Sequence, residues 1–219
     1  MPSPNGDVAA IVVAGGQGSR FGGLKQFVDL DGVSVAARSV AACRSVAGTV
    51  ILVAPEGLEE THGADLVVPG GESRAASVRA GLSVVPAEAQ VVVVHDAARP
   101  LASERLFFGV VAELADDKVA AAICAVPVTD TIKRVEGSEG RQRVVATLER
   151  EELVAVQTPQ AFRAEVLRAA HAAGADATDD AALVEALGGL VVVINGEPEN
   201  LKLTSPLDLP AAERIVGTR

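Results

Sequence analysis

Val8-Ala9-Ala10-Ile11-Val12-Val13, followed without a break by Ala14-Gly15-Gly16-Gln17-Gly18-Ser19-Arg20 and then by Lys25, is the stretch that decides the fold. An uninterrupted apolar run of this length reads as a strand buried on both faces, as in a parallel sheet with helices on either side. The glycines after it let the backbone turn through positive φ and bring N–H groups against phosphate oxygens, and Arg20 and Lys25 supply cations for a phosphoryl group in motion. The segment therefore reads as a cradle for a nucleoside triphosphate. It is not a Walker A loop, because Leu24 follows Gly23 where a lysine is required, and it is not the dinucleotide fingerprint, because Phe21 stands at the third glycine position. On the loop alone, a tight strand-to-helix turn without a ligand remains an alternative.

Working outward, apolar runs recur near 49–54, 65–69, 91–95, 119–126 and 190–194, with helical patterns near 34–44, 73–84, 103–115 and 163–173. This alternation predicts an α/β fold, a Rossmann-like three-layer sandwich around a mostly parallel, twisted sheet. Ligands of such sheets bind beyond the carboxyl ends of the strands, so the loops there are the place to look for chemistry. One domain over residues 1–219 suits the length.

Hydrophobic residues make up 49% of the chain but aromatics only 2%, so the core must be built from Ala, Val and Leu. No apolar run reaches the roughly 18 residues of a membrane span, and the first residues lack the pattern of a signal peptide, so a cytoplasmic location away from membranes is expected. The net charge of −10 disfavours nucleic acid as a partner, and any anionic ligand must meet a local group of cations. Cys43 and Cys124, in a predicted helix and a predicted strand, lack metal or redox spacing and are expected to be buried free thiols.

Three later loops carry distinctive residues. After Leu66-Val67-Val68-Pro69 comes Gly70-Gly71-Glu72-Ser73-Arg74-Ala75-Ala76-Ser77, where Ser73 is a helix-cap candidate and Glu72 or Ser77 could bond a base; a capped turn leaves Arg74 and Ser77 unexplained. After Val91-Val92-Val93-Val94 comes His95-Asp96-Ala97-Ala98-Arg99-Pro100, in which Asp96 is placed to hold Mg²⁺ or a sugar hydroxyl, Arg99 to pair with Asp96 or a phosphate, and His95 to serve structure. Thr129-Asp130-Thr131-Ile132-Lys133-Arg134-Val135 and Arg143-Val144-Val145-Ala146-Thr147 flank a glycine-bearing turn, a hairpin pattern at about 129–150. A lone hairpin exposes its edges, so it is expected to pack on a second subunit, the alternative being its own domain. Thr178-Asp179-Asp180 reads as an acidic helix start, and Pro206 lies near the start of a last helix.

Taken in series from about Val8 to Ile215, His95 to Pro100, Asp130-Thr131-Ile132-Lys133, Gln157-Thr158-Pro159-Gln160 and Asn200-Leu201-Lys202 resemble the 2-C-methyl-D-erythritol 4-phosphate cytidylyltransferases of the non-mevalonate isoprenoid pathway. The resemblance implies attack by methylerythritol phosphate on the α-phosphorus of CTP, with release of pyrophosphate and formation of 4-diphosphocytidyl-2-C-methyl-D-erythritol. It implies that Arg20 and Lys25 stabilise the pentacoordinate α-phosphate and that Arg150 and Lys202 position the attacking phosphate. Ala14, Gly15, Gly16, Gly18, Gly71, Glu72 and Ser77 would hold the nucleotide. Asp96, Ala97, Arg99, Thr131, Thr158 and Thr178 would line the substrates, with Asp96 close to a Mg²⁺ bound mainly through the CTP phosphates. The hairpin would carry Arg150 into the partner's site of a homodimer. The chain departs from the family at Glu72, where Asp is usual, and at Leu24, where proline commonly precedes the lysine. A second enzymatic domain, as in the fused form, is not expected. An enzyme of the same fold acting on another alditol phosphate, such as ribitol 5-phosphate, is the competing reading; a catalytically silent nucleotide-binding protein is a third.

Overall fold

The computed structural model describes residues 5–15, 25–58, 60–138, 140–172, 174 and 176–218, without the side chains of Asn5, Lys25 and Ser138. Gly16, Gly18 and Arg20 lie outside the described residues, as does the side chain of Lys25. In chain order the elements are β1 (Asn5–Val13), β2 (Asp29–Leu30), β3 (Val33–Ser34), α1 (Val35–Cys43), β4 (Ala47–Ala54), β5 (Leu66–Pro69), α2 (Arg74–Leu82), β6 (Val91–Asp96), α3 (Glu104–Glu113), β7 (Val119–Pro127), β8 (Lys133–Ser138), β9 (Arg141–Thr147), β10 (Val154–Arg163), α4 (Ala164–Ala172), α5 (Asp180–Ala186), β11 (Leu190–Asn195) and α6 (Leu209–Val216).

Seven strands form the central sheet in the order β11-β7-β10-β6-β1-β4-β5. All its pairings are parallel except those that β10 makes with β6 and β7. β1 is an interior strand, between β6 and β4, and Val8 to Val12 are buried from both sides: Val8, Ala10 and Val12 face one core cluster and Ala9 and Ile11 the other. The first cluster includes Val40 and Cys43 of α1 and Leu106, Phe107 and Val110 of α3. The second includes Val78 and Leu82 of α2, Leu167 and Ala170 of α4, and Leu183 and Val184 of α5. Alternate residues of one strand thus anchor both helical layers, the geometry expected of a three-layer sandwich.

Small residues let the layers close. A Cβ on Gly81 of α2 would stand 2.7 Å from Ile11 Cγ2 and 3.1 Å from Val53 Cγ2, so α2 lies flat on the sheet only with glycine there. Cys43 and Cys124 are buried free thiols, as expected from sequence, and burial pushes the Cys124 thiol up to about 12. β8 and β9 pair only with each other in a separate two-stranded sheet. Leu148 N donates to Ile132 O at 3.0 Å below the hairpin, and Val135 and Val144 on it are 41% and 55% exposed.

The sequence reading lacks the two-residue strands β2 and β3 and, in the main sheet, β10. Its centre, Gln157-Thr158-Pro159-Gln160, is polar and contains a proline, which argues against a central strand. The pairing with β7 shifts register between Gln157 and Gln160, so the ladder passes Pro159 without requiring its missing N–H.

Candidate active site

The parallel register sets the ends of four strands side by side: Val13 of β1 pairs with Val53 of β4 and with Asp96 of β6, and Ala54 of β4 pairs with Pro69 of β5. Ala14-Gly15, Asp96-Ala97 and Gly70-Gly71 therefore leave the sheet along one edge, as the fold class requires of a ligand site. Ala14 N donates to Val53 O at 2.7 Å, Gly70 N to Ala54 O at 2.8 Å and Ala97 N to Val13 O at 3.0 Å, extending the sheet into the rim. On the far side of the glycine loop, Gln26 Nε2 donates to Ala14 O at 2.6 Å.

The Gly15 and Gly70 loops lie close together, and within the second of them Gly71 is pressed against α2 so tightly that only glycine fits. A Cβ on Gly70 would lie 3.2 Å from Gly15 Cα, and one on Gly71 would lie 2.5 Å from Ala76 Cβ. Ser77, 3% exposed, accepts from Gly71 N at 3.1 Å and donates to Ser73 O at 3.0 Å, while Ser73 caps α2 by accepting from Ala76 N. Ser77 thus fastens the Gly70-Gly71 turn to α2, and Glu72 on that turn is exposed.

Beside this mouth lies a chain of linked polar and charged side chains. Lys202 Nζ is 2.6 Å from Asp96 Oδ2, Arg74 Nε is 3.2 Å from Asp96 Oδ1, Arg74 Nη1 is 2.7 Å from Asp180 Oδ2, and His171 Nε2 is 2.9 Å from Asp180 Oδ1. The chain runs from the surface, where Lys202 is 40% exposed, to the core, where Asp180 and His171 are buried. Burial alone would raise the Asp96 pKa, but Arg74 and Lys202 outweigh it and hold the carboxyl well below the usual carboxylate range. Burial likewise opposes the charge on Arg74, and Asp96 and Asp180 overcome it, so the guanidinium is held charged more firmly than usual.

Polar groups of β10 and the following loops support this row. Thr158 Oγ1 accepts from Asp96 N at 3.0 Å and shares a 3.0 Å hydrogen bond with His95 Nδ1, while His95 Nε2 lies 3.2 Å from Arg99 O. Gln157 binds the backbone of Glu197 and Asn200, and Asn200 Nδ2 donates to Thr158 O at 2.9 Å, fixing the loop that carries Lys202. Arg99 donates to Asn200 O at 2.7 Å and to Val156 O at 3.3 Å, so its guanidinium braces the same loop, while Asp96 is matched by Arg74 and Lys202.

The structure therefore ties Asp96, Arg99, Thr158 and Lys202 into one network, sets Ala97 beside it with its backbone bonded to Val13 and Ser39, and sets Ala14, Gly15, Gly71, Glu72 and Ser77 at the neighbouring mouth. Thr178 is exposed two residues before Asp180. Thr131 and Arg150 sit at the foot of the hairpin, where Arg150 donates to Thr129 O at 3.1 Å and pairs with Glu151 at 3.2 Å. Sequence reasoning left Arg74 without a partner and took Asp180 for a helix start. In the structure Asp179 does the capping, accepting from Ala182 N at 3.0 Å, and Asp180 turns inward to Arg74. Two adjacent acids where one suffices for a cap, together with an unmatched arginine at another helix start, were the available signal.

His95 has a consequence for stability. Fully buried, its pKa falls to about 4, from 6.5, because burial disfavours the imidazolium. Between these values the unfolded chain binds a proton that the folded chain refuses, so stability is lost as pH falls from about 6.5 towards 4, by on the order of 3 kcal/mol in all. Urea unfolding at pH 7, 6, 5 and 4 should show this slope, and His95→Gln should flatten it; an equal slope in the variant would assign it to other groups.

A family model described as 2-C-methyl-D-erythritol 4-phosphate cytidylyltransferase (IspD) matches residues 8–218. The chain belongs to that family. A cytidylyltransferase of this name from Rhodococcus opacus is 46% identical over 226 residues, covering 99% of this chain and 98% of that protein. A bifunctional IspD/IspF enzyme from Anaeromyxobacter dehalogenans is 45% identical over 224 residues, covering 95% of this chain; the chain spans 57% of that relative's length. Among solved structures, the cytidylyltransferase of Thermus thermophilus superposes with a TM-score of 0.77 at 35% identity, covering 96% of this chain and 98% of that one. The synthase of Anaerococcus prevotii superposes with a TM-score of 0.82 at 27% identity, covering 96% of each chain. The mostly parallel sheet with flanking helices is the fold of the family. No helix among the described residues is long and apolar enough to cross a membrane.

Proposed function

We propose that this chain, read as one nucleotidyltransferase domain, transfers the cytidylyl group of CTP to 2-C-methyl-D-erythritol 4-phosphate, giving 4-diphosphocytidyl-2-C-methyl-D-erythritol and pyrophosphate. The observation that carries the reading is the joint placement, on one sheet edge, of a glycine-lined mouth and the Lys202–Asp96–Arg74 row in a chain of this family. Ala14, Gly15, Gly71, Glu72 and Ser77 surround the cytosine, with Gly16 and Gly18 on the phosphates. Arg99 and Thr158 hold the wall, and Ala97, Thr131 and Thr178 contact sugar hydroxyls. The cytoplasm, which supplies both substrates, is where it acts.

The attacking group is already an anion at neutral pH, since a phosphate monoester has a second pKa near 6, so no general base is required. A phosphate oxygen of the acceptor adds to the α-phosphorus in line with the bond to the bridging oxygen, that bond breaks, and pyrophosphate departs with its electron pair. Catalysis then rests on alignment and charge: Arg20 and Lys25 stabilise the α-phosphate as it becomes pentacoordinate, and Lys202 and Arg150 orient the attacking phosphate. Among the described residues no three or more His, Cys, Asp or Glu side chains are grouped to hold an ion; Asp180 is buried against Arg74 and His171, and Asp96, at the sheet edge, is the carboxylate that would take part in holding one. That donor set fits Mg²⁺, which commonly takes one or two carboxylates and completes its shell with water and substrate phosphates. When bound, the ion would neutralise triphosphate charge. The exposed Val135 and Val144 and the unpaired edges of the hairpin support its docking on a second copy of the chain, which delivers Arg150 to the partner's site.

Pyrophosphate release measured with CTP, Mg²⁺ and each acceptor tests the reading. Turnover is expected with methylerythritol phosphate; faster turnover with ribitol 5-phosphate would overturn the choice of acceptor.

A further inference from the structure

Lys25 lies in a single 3-10 turn, Lys25–Phe27, which is too short to hold itself in place. The two side chains after Lys25 are each anchored. Gln26, 3% exposed, reaches Ala14 O and so joins the two feet of the glycine loop. Phe27 stacks on the ring of His62, with centroids 5.0 Å apart and planes at 19°.

His62 belongs to the loop between β4 and β5, and its backbone is unusual. It adopts φ +49°, in the left-handed region, just before Gly63 at φ +88°. The side chain is 5% exposed, and Nδ1 lies 3.0 Å from the hydroxyl of Ser34 and 3.4 Å from the Glu60 carboxylate. Ser34 in turn caps α1, accepting from Ala37 N at 3.2 Å, so the ring is referenced to a helix packed in the core. Its Nε2 is buried with no hydrogen-bond partner among the described residues. A left-handed backbone and a bare buried ring nitrogen are both costs, and they persist where the surrounding structure requires the group at that place.

We propose that His62 is a positioning residue for nucleotidyl transfer: its ring is the fixed platform on which Phe27 packs, and Phe27 holds the turn that presents Lys25. The proposal rests on the role given to Lys25 above. Ser34, Gln26 and Ala14 complete the frame, so the turn is fixed on one side to the end of β1 and on the other to α1.

The test uses full-length chain and steady-state kinetics. Asn tolerates the left-handed backbone and keeps a polar group for Ser34 but lacks the ring, whereas Gly also removes the backbone cost. His62→Asn and His62→Gly should both fold, with an unfolding midpoint close to the parent's, and both should lower kcat by about 10- to 100-fold, the scale of a small misplacement of a catalytic group. KM for the sugar phosphate should stay unchanged. Phe27→Leu, which leaves the His62 backbone alone, should reproduce the loss. The decisive comparison is made in the Lys25→Ala background, where His62→Asn should cause no further fall in kcat, a result that general damage to the fold cannot give. Equal falls with and without Lys25, or parental kcat in both His62 variants, would overturn the proposal while leaving the function reading intact. Parental turnover in Lys25→Ala itself would remove the role of Lys25 and the proposal with it.

Discussion

Lys25→Ala should lower kcat by roughly 10³-fold or more while leaving the unfolding transition unchanged. The reaction has no covalent intermediate and no proton to move before attack, so the protein's contribution is positioning and electrostatics, and removing one well-placed donor to a developing charge typically costs about 10²- to 10³-fold. A full cation that meets the α-phosphate mainly in the transition state belongs at or above that range. Because the charge is proposed to act on the pentacoordinate state rather than on bound CTP, kcat should fall much more than the KM for CTP rises. Unchanged turnover would remove Lys25 from the mechanism. The same variant probes the proposed dimer: mixed with Arg150→Ala chains, it should regain activity in heterodimers that hold one intact composite site, and failure of mixed samples to recover would count against the arm.

The second large effect is on stability. Arg74→Ala should destabilise the fold by about 3 kcal/mol, the lower end for breaking a buried ion pair, since the arginine is partly exposed and His171 remains beside Asp180. The cost arises less from the lost attraction than from leaving the buried Asp180 carboxylate facing a gap. Asp180→Asn placed in the Arg74→Ala background should therefore recover a measurable part of the loss. Urea midpoints at constant m value would show it, and simple additivity of the two substitutions would mean that the pair does not act as a unit.

Why some of the site was legible and some was not follows from how each residue is satisfied. The glycines at 15 and 71, Asp96 and Lys202 stand directly after strands or in short motifs, and the parallel register alone brings the first three to one edge. The buried thiols and both helical layers followed from apolar periodicity. β10 was hidden because its polar residues are buried by long-range partners that no local pattern shows: Gln157 against the 197–200 loop, Thr158 against His95 and Asp96, Gln160 against Asp179. Asp180 was hidden for the same reason, its partner Arg74 lying 106 residues away in sequence. His95, left without an evident partner in the sequence, finds Thr158 on the neighbouring β10 and the carbonyl of Arg99 four residues on in its own loop.

The reversed strand also dictates the order in which the molecule can be completed. β10 lies between β6 and β7 in space yet follows both along the chain, and the other neighbour of β7, β11, comes later still. As the polypeptide leaves the ribosome, β1, β4, β5 and β6 can assemble into a four-stranded half, but β7 has nothing in the main sheet to pair with until residues 154–163 emerge. During that interval the edge of β6 and the whole of β7 are exposed, and such edges are where newly made chains associate wrongly. The late strand is thus a keystone: its arrival joins two halves and, through Thr158, seats Asp96.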